Sequence, residues 1–326
     1  MKIGLVARAD NTGLGMLSWE FFENLREYMA KVIIYDGGAF QIFPERFDNP
    51  EIITKDQIPD DFLEGIDLIL AIETPYDWSI FGRAKTRGIK TVLIPMFECN
   101  QKPLEAYPDL IVCPSQIDFE SFWGELARLE ILPLPVNRKR VSFKLRQKAR
   151  VFLHNVGHGG LHGRTGTGKF LKAIEMVKTN VRFLIHSQIK IPKVNDVRVE
   201  IRIGNLKNYW DLWQRGDVYV FPTNQEMISM PVQEALAAGM PVLMPKFSIY
   251  DFPDNWIISS KNKFRAKIID RFMNFFEIEP RAIAEKIDEW ANRDITGASK
   301  IADKLASTLD WRVLKSEWIE LLKSIL

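Results

Sequence analysis

Stretches of consecutive apolar residues alternate with stretches in which apolar residues recur at helical spacing. A helix capped by Ser18 is predicted near the start, because Phe21, Phe22 and Leu25 repeat at helical spacing. Continuous apolar strands separated by helices are typical of a parallel sheet covered on both faces. In the first half, the apolar stretches predict strands at residues 2–7, 32–35, 68–72, 91–94, 110–113 and 132–134.

A second alternation of the same kind begins at Val151, and from about Arg265 the pattern is helical to the end. Two open α/β sheets in tandem suit a chain of 326 residues, because a domain takes roughly 100–200 residues. Such sheets bind ligands at the carboxyl ends of their strands, so we expect a cleft between two domains. Within the second half we predict strands at 151–155, 182–186, 197–202, 218–221 and 241–244, and helices at 169–178, 209–214 and 231–238. The predicted domains are 1–137 and 151–307, joined by a linker at 138–150 and followed by a helix at 308–326 that packs on the first domain.

Charge is unevenly distributed along the chain. Segment 138–150 holds seven basic residues and no acidic one, which leaves the remainder at 37 basic against 42 acidic residues. Such a segment is either a solvated linker or a site for an anionic partner.

Two cysteines exclude a disulfide framework, and no apolar run reaches the ~18 residues of a membrane span. These features, and a start unlike a signal peptide, predict a cytoplasmic protein, with the basic segment allowing peripheral contact with nucleic acid or membrane.

Segment 221–245 reads as a strand, a loop, a helix, a glycine stop and a strand. Pro231 suits the first turn of a helix and Gly239 the left-handed position just after its end. The loop therefore delivers backbone N–H groups at a helix N-terminus, which favours an anion. Glu226 and Glu234 flank this position, and carboxylates there make sense if they accept hydrogen bonds from neutral hydroxyl groups.

Segment 152–169 places six glycines between a strand and a helix. Residues 163–169 match the phosphate-binding P-loop pattern, but Phe170 stands where a serine or threonine should bind magnesium. His154, His158 and His162 recur at a spacing of four, as zinc ligands on a helix would. The glycines argue against a helix here, so no metal site is predicted.

Together the two segments resemble the retaining glycosyltransferases of the GT-B fold, which carry two glutamates with seven residues between them. The resemblance implies two Rossmann-like domains facing a central cleft, with a C-terminal helix that crosses back to the first domain. It implies that Glu226 contacts the donor sugar and Glu234 the ribose, and that Arg164 and Lys169 neutralise the diphosphate. This chain departs from the family at 227–229, where Met, Ile and Ser replace the usual glycines.

The resemblance also implies further site residues. Glu98 is the favoured catalytic helper at a strand end of the first domain, and Glu73 is the alternative. The remaining donor contacts are expected at glycine loops, at a loop near the base and at the helix start, namely Gly13, Gly15, Gly163, Asn205, Ile228, Ser229 and Met230.

The expected function is transfer of a sugar from a nucleoside-diphosphate sugar, by default UDP-glucose, to an acceptor hydroxyl without a metal or prosthetic group. The acceptor stays open, and both hydroxymethylated DNA bases and an anionic membrane lipid suit the basic segment. A monomer and a homodimer are both compatible with the sequence. Two other functions remain: a P-loop nucleotide hydrolase, which would need magnesium, and a non-catalytic module that binds nucleotide sugars.

Overall fold

The computed structural model describes residues 1–96, 100, 102, 104–161 and 163–326. These residues form two compact units, and each unit is built around its own parallel sheet. The first unit comprises Met1–Pro135, Ile268–Arg271 and Trp311–Leu326. The second comprises Val136–Lys267 and Phe272–Asp310, so the basic segment 138–150 is part of it.

The first unit has a sheet of seven parallel strands in the order β3-β2-β1-β4-β5-β6-β7. Its core strands β1 and β4 are buried at every position, which explains their unbroken apolar sequence. The strand order reverses between β1 and β4, so the loops that follow these two strands diverge there. The elements are β1 (Ile3–Ala7), α1 (Gly13–Asn24), β2 (Met29–Tyr35), β3 (Glu51–Ile53), β4 (Leu68–Ile72), α2 (Ser79–Thr86), β5 (Lys90–Ile94), β6 (Leu110–Cys113), α3 (Gln116–Phe122) and β7 (Arg128–Ile131).

The second unit has five parallel strands in the order β10-β9-β8-β11-β12. Its order reverses between β8 and β11. A separate two-stranded sheet is formed by β13 and β14, of which only the end of β13 at Ile268 and the start of β14 at Arg271 belong to the first unit. The elements are β8 (Val151–Gly157), α4 (Thr167–Ile174), β9 (Arg182–Ser187), β10 (Val199–Ile203), β11 (Val218–Val220), α5 (Met230–Ala237), β12 (Val242–Leu243), β13 (Asn262–Ile268), β14 (Arg271–Glu277), α6 (Pro280–Trp290) and α7 (Thr296–Ser307).

The last helix, α8 (Trp311–Lys323), belongs to the first unit. Two of its tryptophans, Trp311 and Trp318, meet Phe21 of α1 edge-on at 5.0 and 4.8 Å between ring centroids. The indole N–H of Trp311 also donates to the buried Glu20 carboxylate at 3.0 Å. The ring contacts and this hydrogen bond pack α8 against helix α1.

Three sequence predictions of local structure are wrong. Helix α1 begins at Gly13 and is capped by Thr12, whose side chain accepts from the Gly15 N–H, so Ser18 lies inside the helix. The strand predicted at 132–134 is β7 at Arg128–Ile131 instead. The region from Arg265 onward does not begin as a helix, because its alternating side chains form the hairpin β13–β14 before α6 starts.

Candidate functional site

The glycine-rich loop after β8 and the loop after β11 meet where the strand order of the second sheet reverses. The Arg164 carbonyl accepts hydrogen bonds from the Thr223 hydroxyl at 2.7 Å and from the Asn224 N–H at 3.2 Å. Gly166 has a φ of 77°, and a Cβ there would overlap the Pro222 carbonyl. Glycine is therefore required at 166 for both its backbone angle and its closeness to the second loop.

The first turn of α4 carries Lys169, which is half-buried. Partial burial lowers the pKa of the Lys169 ammonium, with Glu277 opposing that effect. Arg164 is exposed three residues before the helix, and Gly163 lies beside Gly159 with no room for a Cβ. A cavity of about 890 Å³ opens beside this loop and is lined by Gly163, Lys169 and Asn224, among others. The lining holds three lysines, two carboxylates and three glycines, and it does not include Arg164, Glu226 or Glu234. Its glycines and Lys169 are the part suited to phosphate binding.

Helix α5 follows the loop after β11, and its first turn carries Pro231. Ser229 occupies the N-cap position, and its amide donates to the Tyr250 hydroxyl at 3.3 Å. Among the described residues, the Met230 N–H has no intramolecular acceptor. Ile228 is partly exposed next to it. The Met230 N–H at this helix start can therefore donate a hydrogen bond to a ligand.

Glu226 is fully buried and is held by donors from its own unit. Ser248 donates both its backbone N–H and its hydroxyl to one carboxylate oxygen, the hydroxyl at 2.8 Å. The other oxygen accepts from the Asn274 amide at 2.8 Å and lies 3.3 Å from the Lys263 ammonium. The carboxylate thus joins the loop after β11 to the hairpin β13–β14, and the side chain of its partner Lys263 is 41% exposed.

Glu234 is buried one turn into α5. One of its oxygens accepts from the Tyr209 hydroxyl at 2.7 Å and from the Trp213 indole N–H at 3.1 Å. Burial raises the pKa of Glu234 to about 7, and the two hydrogen bonds oppose that rise. Sequence patterns identified this glutamate but gave no sign of its two aromatic donors, which come from the 3₁₀-helix Tyr209–Gln214.

His154 is a core residue of β8. Its two ring nitrogens lie 2.9 Å from the Val220 carbonyl and 3.0 Å from the Thr167 hydroxyl, and its ring stacks on Phe170. Burial lowers the pKa of His154 to about 4, so the ring is neutral at physiological pH. His162 lies outside the described residues, and no cluster of three or more metal-binding side chains occurs among the described ones.

The remaining predicted residues occupy different places. Asn205 is exposed after β10, where its side-chain oxygen accepts from Gln188 at 3.2 Å. Gly13 and Gly15 lie in the first turn of α1, in the first unit, and Gly15 has no room for a Cβ beside Asp10. Glu98 lies outside the described residues.

The alternative helper, Glu73, lies in the first unit at the end of β4, beside the reversal of strand order in that sheet. It has a φ of 67°, which is uncommon for a residue with a side chain. Such backbone conformations concentrate at functional sites, because the surrounding structure must hold them in place. Its neighbours Arg8 and Asp10 form an ion pair at 2.5 Å on the adjoining loop.

In the part of the chain that the structure describes, no helix is long and apolar enough to cross a membrane. No protein-family model and no curated protein matches the sequence.

Solved structures, in contrast, match the chain over its whole length. HepE of Anabaena, in complex with UDP and glucose, has a TM-score of 0.72 at 13% identity over 99% of this chain and 100% of that one. Sucrose-phosphate synthase from Thermosynechococcus elongatus has a TM-score of 0.71 at 13% identity over 100% and 99%. The lipopolysaccharide outer core galactosyltransferase WaaB has a TM-score of 0.61 at 14% identity over the full length of both chains. Two Rossmann-like domains and these neighbours confirm that the chain has the GT-B fold, as its sequence segments predicted.

Proposed function

We propose that this protein is a glycosyltransferase that moves a sugar from a nucleoside-diphosphate sugar to an acceptor hydroxyl, with retention of configuration at the sugar carbon. The observation that carries the proposal is the junction of the glycine loop with the start of α5, through Thr223 and Asn224 on the Arg164 carbonyl. The two loops carry Arg164, Lys169 and the Met230 amide at a strand-order reversal, where open α/β sheets bind ligands. HepE, at 13–14% identity, has been solved with UDP and with UDP-glucose, which supports a nucleotide sugar as the ligand.

The diphosphate is held by Lys169, Arg164 and the Met230 amide in this proposal. Lys169 carries less hydration than an exposed lysine because it is half-buried, so its charge acts on the leaving group with less screening. Charge builds on the diphosphate as the sugar departs, and preorganised donors aimed at that charge are commonly the largest contribution to catalysis.

The donor sugar is placed against Glu226. Its carboxylate already has four protein donors, so a sugar hydroxyl must replace one of them. Lys263 is the partner to be replaced, because it is 41% exposed and keeps its hydration when it moves away. Met227, Ile228 and Ser229 stand where relatives have glycines, so we expect a sugar pocket of different shape.

The ribose is placed against Glu234, and the base beside Asn205. A carboxylate with a pKa of about 7 is partly protonated at neutral pH, so ribose hydroxyls that donate to it bind better as the pH rises.

The reaction needs no metal in this proposal. The bond between the anomeric carbon and the diphosphate oxygen breaks, and the acceptor oxygen bonds to that carbon from the same face. The acceptor proton passes to the departing diphosphate oxygen. Glu98 or Glu73 stabilises positive charge on the sugar; Glu73 is favoured among the described residues by its backbone conformation.

UDP-glucose is the proposed donor, because HepE has been solved with UDP-glucose. The acceptor is a hydroxyl group, with hydroxymethylated DNA bases and lipid headgroups as the two classes to be screened. We place the protein in the cytoplasm.

The P-loop alternative is disfavoured because Phe170, at the position of the magnesium-binding hydroxyl, is fully buried against His154 and Phe183.

The test begins with a thermal-shift screen of nucleotide sugars with and without EDTA, followed by assays of sugar transfer. We expect a shift that EDTA leaves unchanged. Lys169→Ala should reduce transfer about 100-fold, as loss of one charge-stabilising donor does elsewhere, and Glu226→Ala should also impair it. Lys178→Ala, which removes an exposed lysine from the same unit, is the matched control.

Three outcomes would contradict the proposal. Unimpaired transfer in both Lys169→Ala and Glu226→Ala would remove the site assignment. Magnesium-dependent nucleotide hydrolysis without transfer would indicate the P-loop function. Donor binding with neither hydrolysis nor transfer across the acceptor screen would indicate a binding module.

A further inference from the structure

The basic segment 138–150 forms part of a second cavity in the second unit, apart from the glycine loop. The cavity measures about 610 Å³. Four of its lining residues are basic and two are acidic: Lys144, Arg146, Lys148, Arg150, Asp217 and Asp294.

None of the four basic side chains has a carboxylate within 4.0 Å among the described residues. Lys144 instead donates to the Gln214 carbonyl at 3.1 Å. By contrast, Arg138 at the start of the same segment is paired with Asp303. At longer range Lys148 attracts Asp294 and Arg146 attracts Asp217, so the lining holds four positive charges against two negative ones.

The two carboxylates of the cavity are already bound to backbone amides. Asp217 accepts from the amides of Arg150 and Val151 at 3.0 and 2.9 Å. Asp294 accepts from the Thr296 amide at 2.8 Å. These bonds use one oxygen of each carboxylate and hold it in place, and both carboxylates keep their negative charge, so the cations of the lining exceed them by two.

Arg146 supplies a fixed positive charge at this place. It is 1% exposed, and its guanidinium donates to the carbonyls of Trp213 at 2.6 Å and Ala238 at 3.2 Å. Its Nε is buried without a partner among the described residues. Asp217 attracts this buried guanidinium, so the exposed Lys144, Lys148 and Arg150 are the cations of the lining that a ligand can reach.

Apolar side chains lie among these cations on the exposed surface. Phe143 is 44% exposed and Leu145 is 40% exposed, and they alternate with Lys144 and Arg146 along the chain. A duplex nucleic acid would meet the cations but leave the two apolar side chains without a partner. An anionic bilayer satisfies both, because its headgroups attract lysine and arginine while its interface accepts apolar side chains.

We propose that this cavity binds the phosphate headgroup of an anionic membrane lipid, with Phe143 and Leu145 entering the bilayer interface. The protein would thereby be held reversibly on a membrane surface. Membrane binding at this cavity is independent of sugar transfer, since none of its residues belongs to the proposed donor site.

The experiment is co-sedimentation of the full-length protein with vesicles of phosphatidylcholine, with and without phosphatidylglycerol. We expect binding to the anionic vesicles alone, with affinity that falls as salt rises. The triple variant Lys144→Gln, Lys148→Gln, Arg150→Gln should partition about 100-fold more weakly, because three charges near the surface are lost. Leu145→Gln should weaken binding further at high salt, where the apolar contribution dominates.

A triple variant of equal charge change, Lys55→Gln, Lys85→Gln, Lys300→Gln, is the control, since these lysines are exposed and lie outside the cavity. Unchanged thermal midpoints and UDP binding would verify that both triple variants are folded. Equal loss of vesicle binding in both triple variants would overturn the proposal, because binding would then depend on the net charge of the protein and not on this cavity. It would also be overturned if the wild-type protein bound tripolyphosphate or duplex DNA but no vesicles.

Discussion

Gly166 is the residue on which the junction of the two site loops depends most directly. Alanine there would adopt a φ near 77° and push its Cβ into the Pro222 carbonyl. We expect Gly166→Ala to lower stability by about 2–4 kcal/mol, since the backbone conformation alone costs about 1–2 kcal/mol. Gly88→Ala is the control, because Gly88 has a φ of 72° and open space around it. Equal losses in thermal unfolding would contradict the predicted clash.

The raised pKa of Glu234 predicts that the stability of the fold depends on pH. Its pKa is about 7 in the folded protein against an ordinary value of 4.5, so the folded state holds its proton to higher pH than the unfolded state does. The stability that this group contributes is full below pH 4.5 and is lost as the pH rises through 7, by at most about 3–4 kcal/mol.

Glu234→Gln removes that loss and still offers an oxygen to Tyr209 and Trp213. We therefore expect the variant to be more stable than the wild type at pH 8 and close to it at pH 4.5, as measured by urea unfolding. A stability difference that does not change with pH would be inconsistent with a raised pKa. Nucleotide affinity should fall in the variant, because a neutral amide accepts ribose hydroxyls more weakly than a carboxylate does.

The hairpin β13–β14 is the element whose role the sequence did not reveal. Its residues Lys263 and Asn274 reach Glu226, and the Asn274 carbonyl also accepts from the Glu226 amide at 2.9 Å. Asn274→Ala would remove one hydrogen bond to a buried carboxylate, at a cost of about 1.5–3 kcal/mol. We expect lower stability and weaker binding of the nucleotide sugar, with little change for the nucleotide alone.

Calorimetry checks the prediction for Asn274→Ala. The affinities for UDP and for UDP-glucose are measured for this variant and for the control Asn262→Ala. Asn262 is an exposed asparagine of the same hairpin. If Asn274→Ala bound both ligands as the wild type does, the hairpin would not shape the sugar site.

The accuracy of prediction from the sequence differs between elements. Strands such as β4 and β6 were predicted at their exact bounds because burial on both faces leaves an unbroken apolar run. The hairpin was missed because β13 is exposed along most of its length and carries basic residues, which favour no single local structure. Likewise, the seven-residue spacing identified Glu226 and Glu234, but their partners Ser248, Asn274 and Tyr209 are distant in sequence.

At the scale of the whole molecule, both sheets reverse their strand order once, next to the first strand of each unit. The same topology thus offers two ligand positions, one per unit, and local chemistry distinguishes them. The second unit brings glycines, Lys169 and a helix start to its reversal. The first brings Arg8 paired with Asp10, and the strained Glu73. We assign the nucleotide to the second unit for this reason.

Hydrogen exchange of the full-length protein with and without UDP checks that assignment. Ligand binding stabilises the folded state by about 2.7 kcal/mol at a concentration of 100 times Kd, and amides at the binding site gain protection most directly. We expect the strongest gain at residues 157–169 and 223–233, and a smaller one at 8–15 and 73–77. Protection centred on the loops of the first unit would reverse the assignment, because the diphosphate would then bind at Gly13 and Gly15 of that unit. The variant Lys169→Ala separates the two cases, since it should abolish the gain only if the nucleotide binds in the second unit.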